Sequence, residues 1–171
     1  MKRLLIFAFL LSFSSTIFSQ KMETDSLLTK KQNVEWITKF EKLNSKSEQI
    51  AEIKKKIYTD SIYIIQNGYN RICCRIIIKN QETIQEAMEK ANCECKIIFV
   101  LTLKKDGYLL DPIEYPKTNR ILELVDEKNI DKINILKGIN ALVLYGANAR
   151  CGVVIMSSES RKFKRRIKNV L

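Results

Sequence analysis

The stretch Asn129–Ser158, NIDKINILKGINALVLYGANARCGVVIMSS, decides the fold. Ile133-Asn134-Ile135-Leu136 is a short run rich in β-branched residues and reads as a strand. Lys137 and Gly138 break it, and Ile139 to Tyr145 supplies one or two apolar helical turns. Small residues from Gly146 to Gly152 form a turn, and Val153 to Met156 makes a second strand. Gly138, Gly146 and Gly152 stand where the chain must reverse or where backbone must approach closely, the use to which glycine is suited. Tyr145 can bury its ring over the strands while its hydroxyl stays wet or bonded. Lys137 is expected to bond local carbonyls or to face water.

Working upstream, Lys96–Leu103 (KIIFVLTL) is apolar nearly throughout, which fits a central strand buried on both faces. Lys104-Lys105-Asp106-Gly107 supplies a turn, and Tyr108 to Leu110 pairs back briefly. Pro112 and Pro116 keep the next segment irregular. Thr118 or Asn119 caps a short helix through Val125, with Ile121, Leu122 and Leu124 inward. Ile72–Ile78 reads as a strand, and Glu82–Asn92 as a helix with Ile84, Ala87, Met88 and Ala91 on its inner face. Ser61–Asn67 fits either a strand or a continued helix; the isoleucine-rich Ile62-Tyr63-Ile64-Ile65 favours the strand, and Asn67-Gly68 serves as hairpin turn or helix C-cap.

Two helices precede this. One is capped by Asp25 or Ser26 and runs to about Leu43, with Leu27, Val34, Ile37 and Phe40 near one face and Trp36 beside them. The next follows Ser47, with Ile50, Ile53 and Ile57 at helical spacing and Lys54-Lys55-Lys56 as a solvated face. At the other end, Arg161–Leu171 (RKFKRRIKNVL) repeats Phe163, Ile167 and Val170 on one helical face. The expected fold is therefore α+β (mixed α/β): a small sheet with short crossover helices, a helical prefix at 20–60, an α/β domain at 61–158 and a basic tail helix at 159–171.

Residues 1–19 are set apart. Met1-Lys2-Arg3 is a basic start, Leu4–Phe13 an apolar run, and Ser19 a small residue at the expected cut. The run is shorter than the ~20 residues a membrane-spanning helix needs, so a signal peptide is expected and the chain is placed in an exported compartment. The charge is +11, from 30 basic against 19 acidic residues. A basic balance suits anionic surfaces or an acidic partner, and export makes nucleic acid a poor fit. The absence of histidine excludes Ser-His and Cys-His nucleophile pairs and His-ligated zinc. GxSxG and GxxxxGK[ST] are absent too. No catalytic, cofactor or metal residues are assigned, and a non-enzyme is expected.

The run Ile133–Gly138, then Ala141, Leu144-Tyr145-Gly146, Ala149 and Gly152-Val153-Val154-Ile155 resembles the closing half of the plug domain of TonB-dependent outer-membrane receptors. That pattern is roughly I-x-V-L-K-G, A-x-x-L-Y-G and G-V-I-I-I, and its carriers here are Lys137, Gly138, Tyr145, Gly146 and Gly152. The resemblance spans about residues 96–158. Cys151, Lys104 and Lys105 depart from it, and the short run after Ser158 has no place for the receptors' barrel. The resemblance implies a plug-like module standing alone. It would be a non-catalytic interaction module in the periplasm or on the periplasmic face of the outer membrane, docking on a protein partner there. A peripheral contact of the basic tail with anionic membrane is a further expectation, with Phe163 and Ile167 inserted; the competing expectation folds that helix onto its own domain.

Five cysteines in an exported chain are disulfide candidates first. Cys73 or Cys74 pairing with Cys93 or Cys95 would pin the intervening helix to the sheet, leaving Cys151 as a small buried thiol. The alternative function is thiol or soft-metal handling by the CC and CxC pairs.

Overall fold

The computed structural model describes residues 29–68, Thr83 and 94–171. The strand expected at Ile72–Ile78, the helix at Glu82–Asn92, and Cys73, Cys74 and Cys93 lie outside the described residues, as do the signal peptide and Asp25 to Leu27. Among the described residues the fold is α+β, with five α-helices on a four-stranded mixed sheet.

Helix α1 (Lys30–Phe40) begins at Thr29, whose hydroxyl accepts from Gln32 N while Gln32 reaches back to Thr29 N. This reciprocal cap places the start later than Asp25 or Ser26. Its inward stripe is Asn33, Trp36, Ile37 and Phe40, a helical i, i+3, i+4, i+7 set. Val34, expected inward, is exposed instead, because Asn33 takes that side and donates to Cys95 O at 2.6 Å. Trp36 stacks on Phe40 and meets Phe99 edge-on.

Helix α2 (Lys46–Asn67) opens with the same kind of cap, Ser45 with Glu48, rather than at Ser47. It runs unbroken across Ser61–Asn67, where a strand was expected. Once a helix is nucleated, each added residue gains a hydrogen bond cheaply, and no glycine or proline intervenes before Gly68. Gly68, at φ 76°, then ends it. The isoleucines that suggested a strand are partly surface residues; Ile65 is 75 % exposed. A boundary at residue 60 thus falls within one helix.

Strand β1 (Ile98–Leu103) turns at Lys104-Lys105 into β2 (Asp106–Leu109), its antiparallel partner. Helix α3 (Thr118–Leu124) follows, beginning after Lys117 with no side-chain cap. Then come β3 (Lys132–Leu136), α4 (Gly138–Tyr145), a 3-10 turn at Ala147–Ala149, β4 (Val153–Ser158) and α5 (Arg161–Val170). The sheet order is β2-β1-β4-β3. The two strands of the opening stretch are immediate neighbours: β3 lies antiparallel to β4, with Leu136 opposite Val153. Strand β1 is central and parallel to β4.

Alternation along the strands sorts the core. Phe99, Leu101 and Leu103 of β1, with Val154 and Met156 of β4, face the main core shared with α1, α2, α3 and α5. Val100 and Val153 point the other way, into a small second cluster with Ala141 and Ala149. Strand β1 is thereby covered on both faces.

Candidate functional site

The β3–α4–β4 unit is built by three left-handed glycines. Gly138 has φ 57°, Gly146 φ 72° and Gly152 φ 102°. Gly152 also carries a packing demand: a Cβ there would stand 2.9 Å from Ile37 Cδ1 and 3.2 Å from Leu136 O. Gly146 closes α4 by donating to Leu142 O. Lys137 neither caps a carbonyl nor simply faces water; its Nζ pairs with Glu41 Oε1 at 2.6 Å, joining the start of α4 to the end of α1. Tyr145 packs half-buried against the second cluster.

Helix α4 turns its small residue inward and its large ones outward. Ala141 is fully buried on the sheet, whereas Ile139 is 71 %, Val143 74 % and Leu144 67 % exposed. Three aliphatic side chains in water on a two-turn helix reverse the usual distribution. The sequence signal for this was GINALVLY itself, since an eight-residue helix apolar on nearly every side has more apolar surface than one sheet can cover.

A second grouping of interest is charged. On α2, Ile53, Lys56, Ile57 and Asp60 form one inward stripe, and Lys56 is buried rather than part of a solvated face. Its Nζ meets Asp60 Oδ1 at 2.7 Å. Asp60 Oδ2 is buried without a hydrogen-bond partner. Burial pushes the Asp60 carboxyl up to about 6, against the opposing pull of Lys56 and Lys96. Burial likewise lowers the Lys56 ammonium, which Asp60 partly restores. Beside them Lys96 is paired with Asp111. Asp60, Lys96 and Asp111 share the wall of a cavity of about 130 Å³ with Phe99, Leu110 and Pro112. A carboxyl of this strength can exchange a proton near neutrality; the rest of the cavity wall is mostly apolar, with Ser61 and Asn148 as its neutral polar side chains. The i, i+4 spacing of Lys56 and Asp60 on the isoleucine stripe is the signal that locates the pair in the sequence.

The cysteines differ from expectation. Cys95 is bonded to Cys151, with Cα atoms 6.0 Å apart, so Cys151 is not a free thiol and Cys95 is not joined to Cys73 or Cys74. Both are buried. Their bond ties the approach to β1 to the approach to β4, and it removes one sulfur of the CxC pair from metal binding in the oxidised protein. Among the described residues no group of His, Cys, Asp and Glu is placed to hold a metal ion, and no helix is long and apolar enough to cross a membrane.

Helix α5 is folded onto the domain. Phe163 and Ile167 are fully buried in the main core, so they are not available for insertion into a bilayer. Lys164 and Lys168 pair with Asp106 at 2.8 and 3.8 Å, and the bond from Lys164 holds the Asp106 carboxyl below its ordinary range.

No protein family, curated protein or solved structure matches the chain.

Proposed function

We propose that this protein is a non-catalytic interaction module of the cell envelope, docking on a protein at the periplasmic face of the outer membrane through the outer side of α4. The observation that carries the reading is the exposure of Ile139, Val143 and Leu144 together on a helix that connects two neighbouring strands. Such a patch suits an apolar groove on a partner, since burying aliphatic surface contributes about 25 cal/mol per Å². The signal-like start and the plug-like β3–α4–β4 sequence support the envelope as the place and an outer-membrane protein as the partner. The absence of histidine supports a binding role over hydrolytic chemistry.

The test is site-specific photo-crosslinking in cells. A photoreactive residue at Val143 is expected to give one discrete adduct with an outer-membrane protein, and the same residue at exposed Val34 on α1 none. Val143→Asp, introduced alongside a probe at Leu144, should abolish the adduct while leaving the thermal midpoint unchanged. Equal labelling from positions 143 and 34, or an adduct insensitive to Val143→Asp, would rule the surface out.

A further inference from the structure

Helix α5 reads RKFKRRIKNV, with six cations and no carboxylate in its span. At about 100° per residue, Phe163, Ile167 and Val170 fall on one side, and this side faces the core. Lys164 and Lys168 fall together beside it, where Asp106 binds both. Arg161, Lys162, Arg165 and Arg166 occupy the remaining arc, all exposed. None of these four is ion-paired within the described residues. Lys104 and Lys105, exposed in the turn immediately before Asp106, extend the positive surface alongside. Glu159 precedes the helix as its nearest carboxylate in sequence.

A basic face is commonly just a solvated one, but two features argue for more. The six cations take up almost the whole arc that the core leaves free, with Asn169 as the one other side chain there. Among the described residues the carboxylate ion-paired with α5 is that of Asp106, which takes up Lys164 and Lys168 and leaves the outer four without an ion-pair partner. Guanidinium groups form forked hydrogen bonds with phosphate oxygens, which favours a surface of phosphates as the complement.

We infer that the outer face of α5 is a docking surface for an anionic phospholipid bilayer, engaged by charge alone. Because Phe163 and Ile167 are held in the core, the helix meets the headgroups as part of a folded domain and does not sink into the acyl region. The contact must therefore weaken steeply with salt, unlike that of an inserted amphipathic helix. The choice of lipid over nucleic acid shares the export expectation with the proposed function, but α5 packs in the main core and α4 on the second cluster, and the two surfaces are tested separately.

The oxidised full-length mature chain is sedimented with vesicles of neutral phosphatidylcholine, with or without about 30 % anionic phosphatidylglycerol. Binding to the anionic vesicles alone is expected, with release at about 0.5 M salt. The variant Arg161→Gln/Lys162→Gln/Arg165→Gln/Arg166→Gln should lose about tenfold or more in partitioning. A charge-matched variant, Lys31→Gln/Lys39→Gln/Lys42→Gln/Lys55→Gln, should keep most of it. Helical circular dichroism and Trp36 fluorescence check folding, and Arg165→Gln/Arg166→Gln replaces the larger variant if that one unfolds. No binding, equal loss in both variants, or binding that survives high salt overturns the inference. So does duplex DNA that binds more tightly than the vesicles and through the same four residues, which would assign the face to nucleic acid.

Discussion

Asp60 shows how one side chain can couple the fold to pH. Its carboxyl lies in the apolar stripe of α2 with one oxygen bonded to Lys56 and the other without a partner. Burial outweighs the attraction of the lysines and lifts the group from 3.8 to about 6. Between those values the folded protein holds a proton that the unfolded chain has released. The stabilisation from this group is therefore complete in acid below the unfolded value and is lost as pH rises through about 6. Asp60→Asn should remove that dependence, so the wild-type urea midpoint, followed by Trp36 fluorescence, should fall relative to that of the variant as pH rises from 3.8 to about 6 and run parallel to it above that window. Curves parallel throughout would show that the carboxyl does not titrate there. This pair escapes a reading of charge runs, because Lys54, Lys55 and Lys56 look alike until their helical phase is compared with Ile53 and Ile57. The glycines are easier: Gly146 and Gly152 lie between apolar runs where only a turn fits, and their positive φ values follow.

Elements with strong periodicity were legible, and those whose outcome depends on neighbours were not. The two strands of the opening stretch and the helix between them stand where β-branched and small residues placed them, and β1 is the central strand that its apolar run implied. The far end of α2 was misread because β-branched residues favour strands only when a sheet is there to receive them. The outward side of α4 was not foreseen, since composition says that a helix is apolar but not which side the sheet takes. Helix α5 presents the opposite case: Phe163 and Ile167 marked an inward face correctly, and the six charges around them disguised a core element as a tail. Phe163→Ala is accordingly expected to cost about 3 kcal/mol or more, as for a fully buried aromatic, measured by equilibrium unfolding. A loss under about 1 kcal/mol, the range of a surface change, would mean that α5 is dispensable to the fold.

Across the molecule, the Cys95–Cys151 bond is the main correction to the cysteine reading. For Cys95, sequence neighbours suggested a partner across one helix, but its contact is decided by the sheet: the residues leading into β1 and β4 come together because those strands are parallel partners. The bond closes a loop with a sequence separation of 56, for which restriction of the unfolded chain predicts about 4 kcal/mol of stabilisation. Cys95→Ala/Cys151→Ala should lower stability by roughly 2 to 4 kcal/mol, and a reductant should bring the wild type to nearly the same midpoint. A reductant effect without loss in the double variant would place the important bond elsewhere.

The parallel seam between β1 and β4 has a kinetic consequence. The β1–β2 hairpin can form locally, but the seam must recruit segments separated by most of the carboxyl half of the chain, and distant pairings of this kind slow the search for the native topology. The sulfur bridge sits just ahead of that seam on both sides. An oxidised chain therefore begins refolding with its slowest encounter already made, and a reduced one must find it by diffusion.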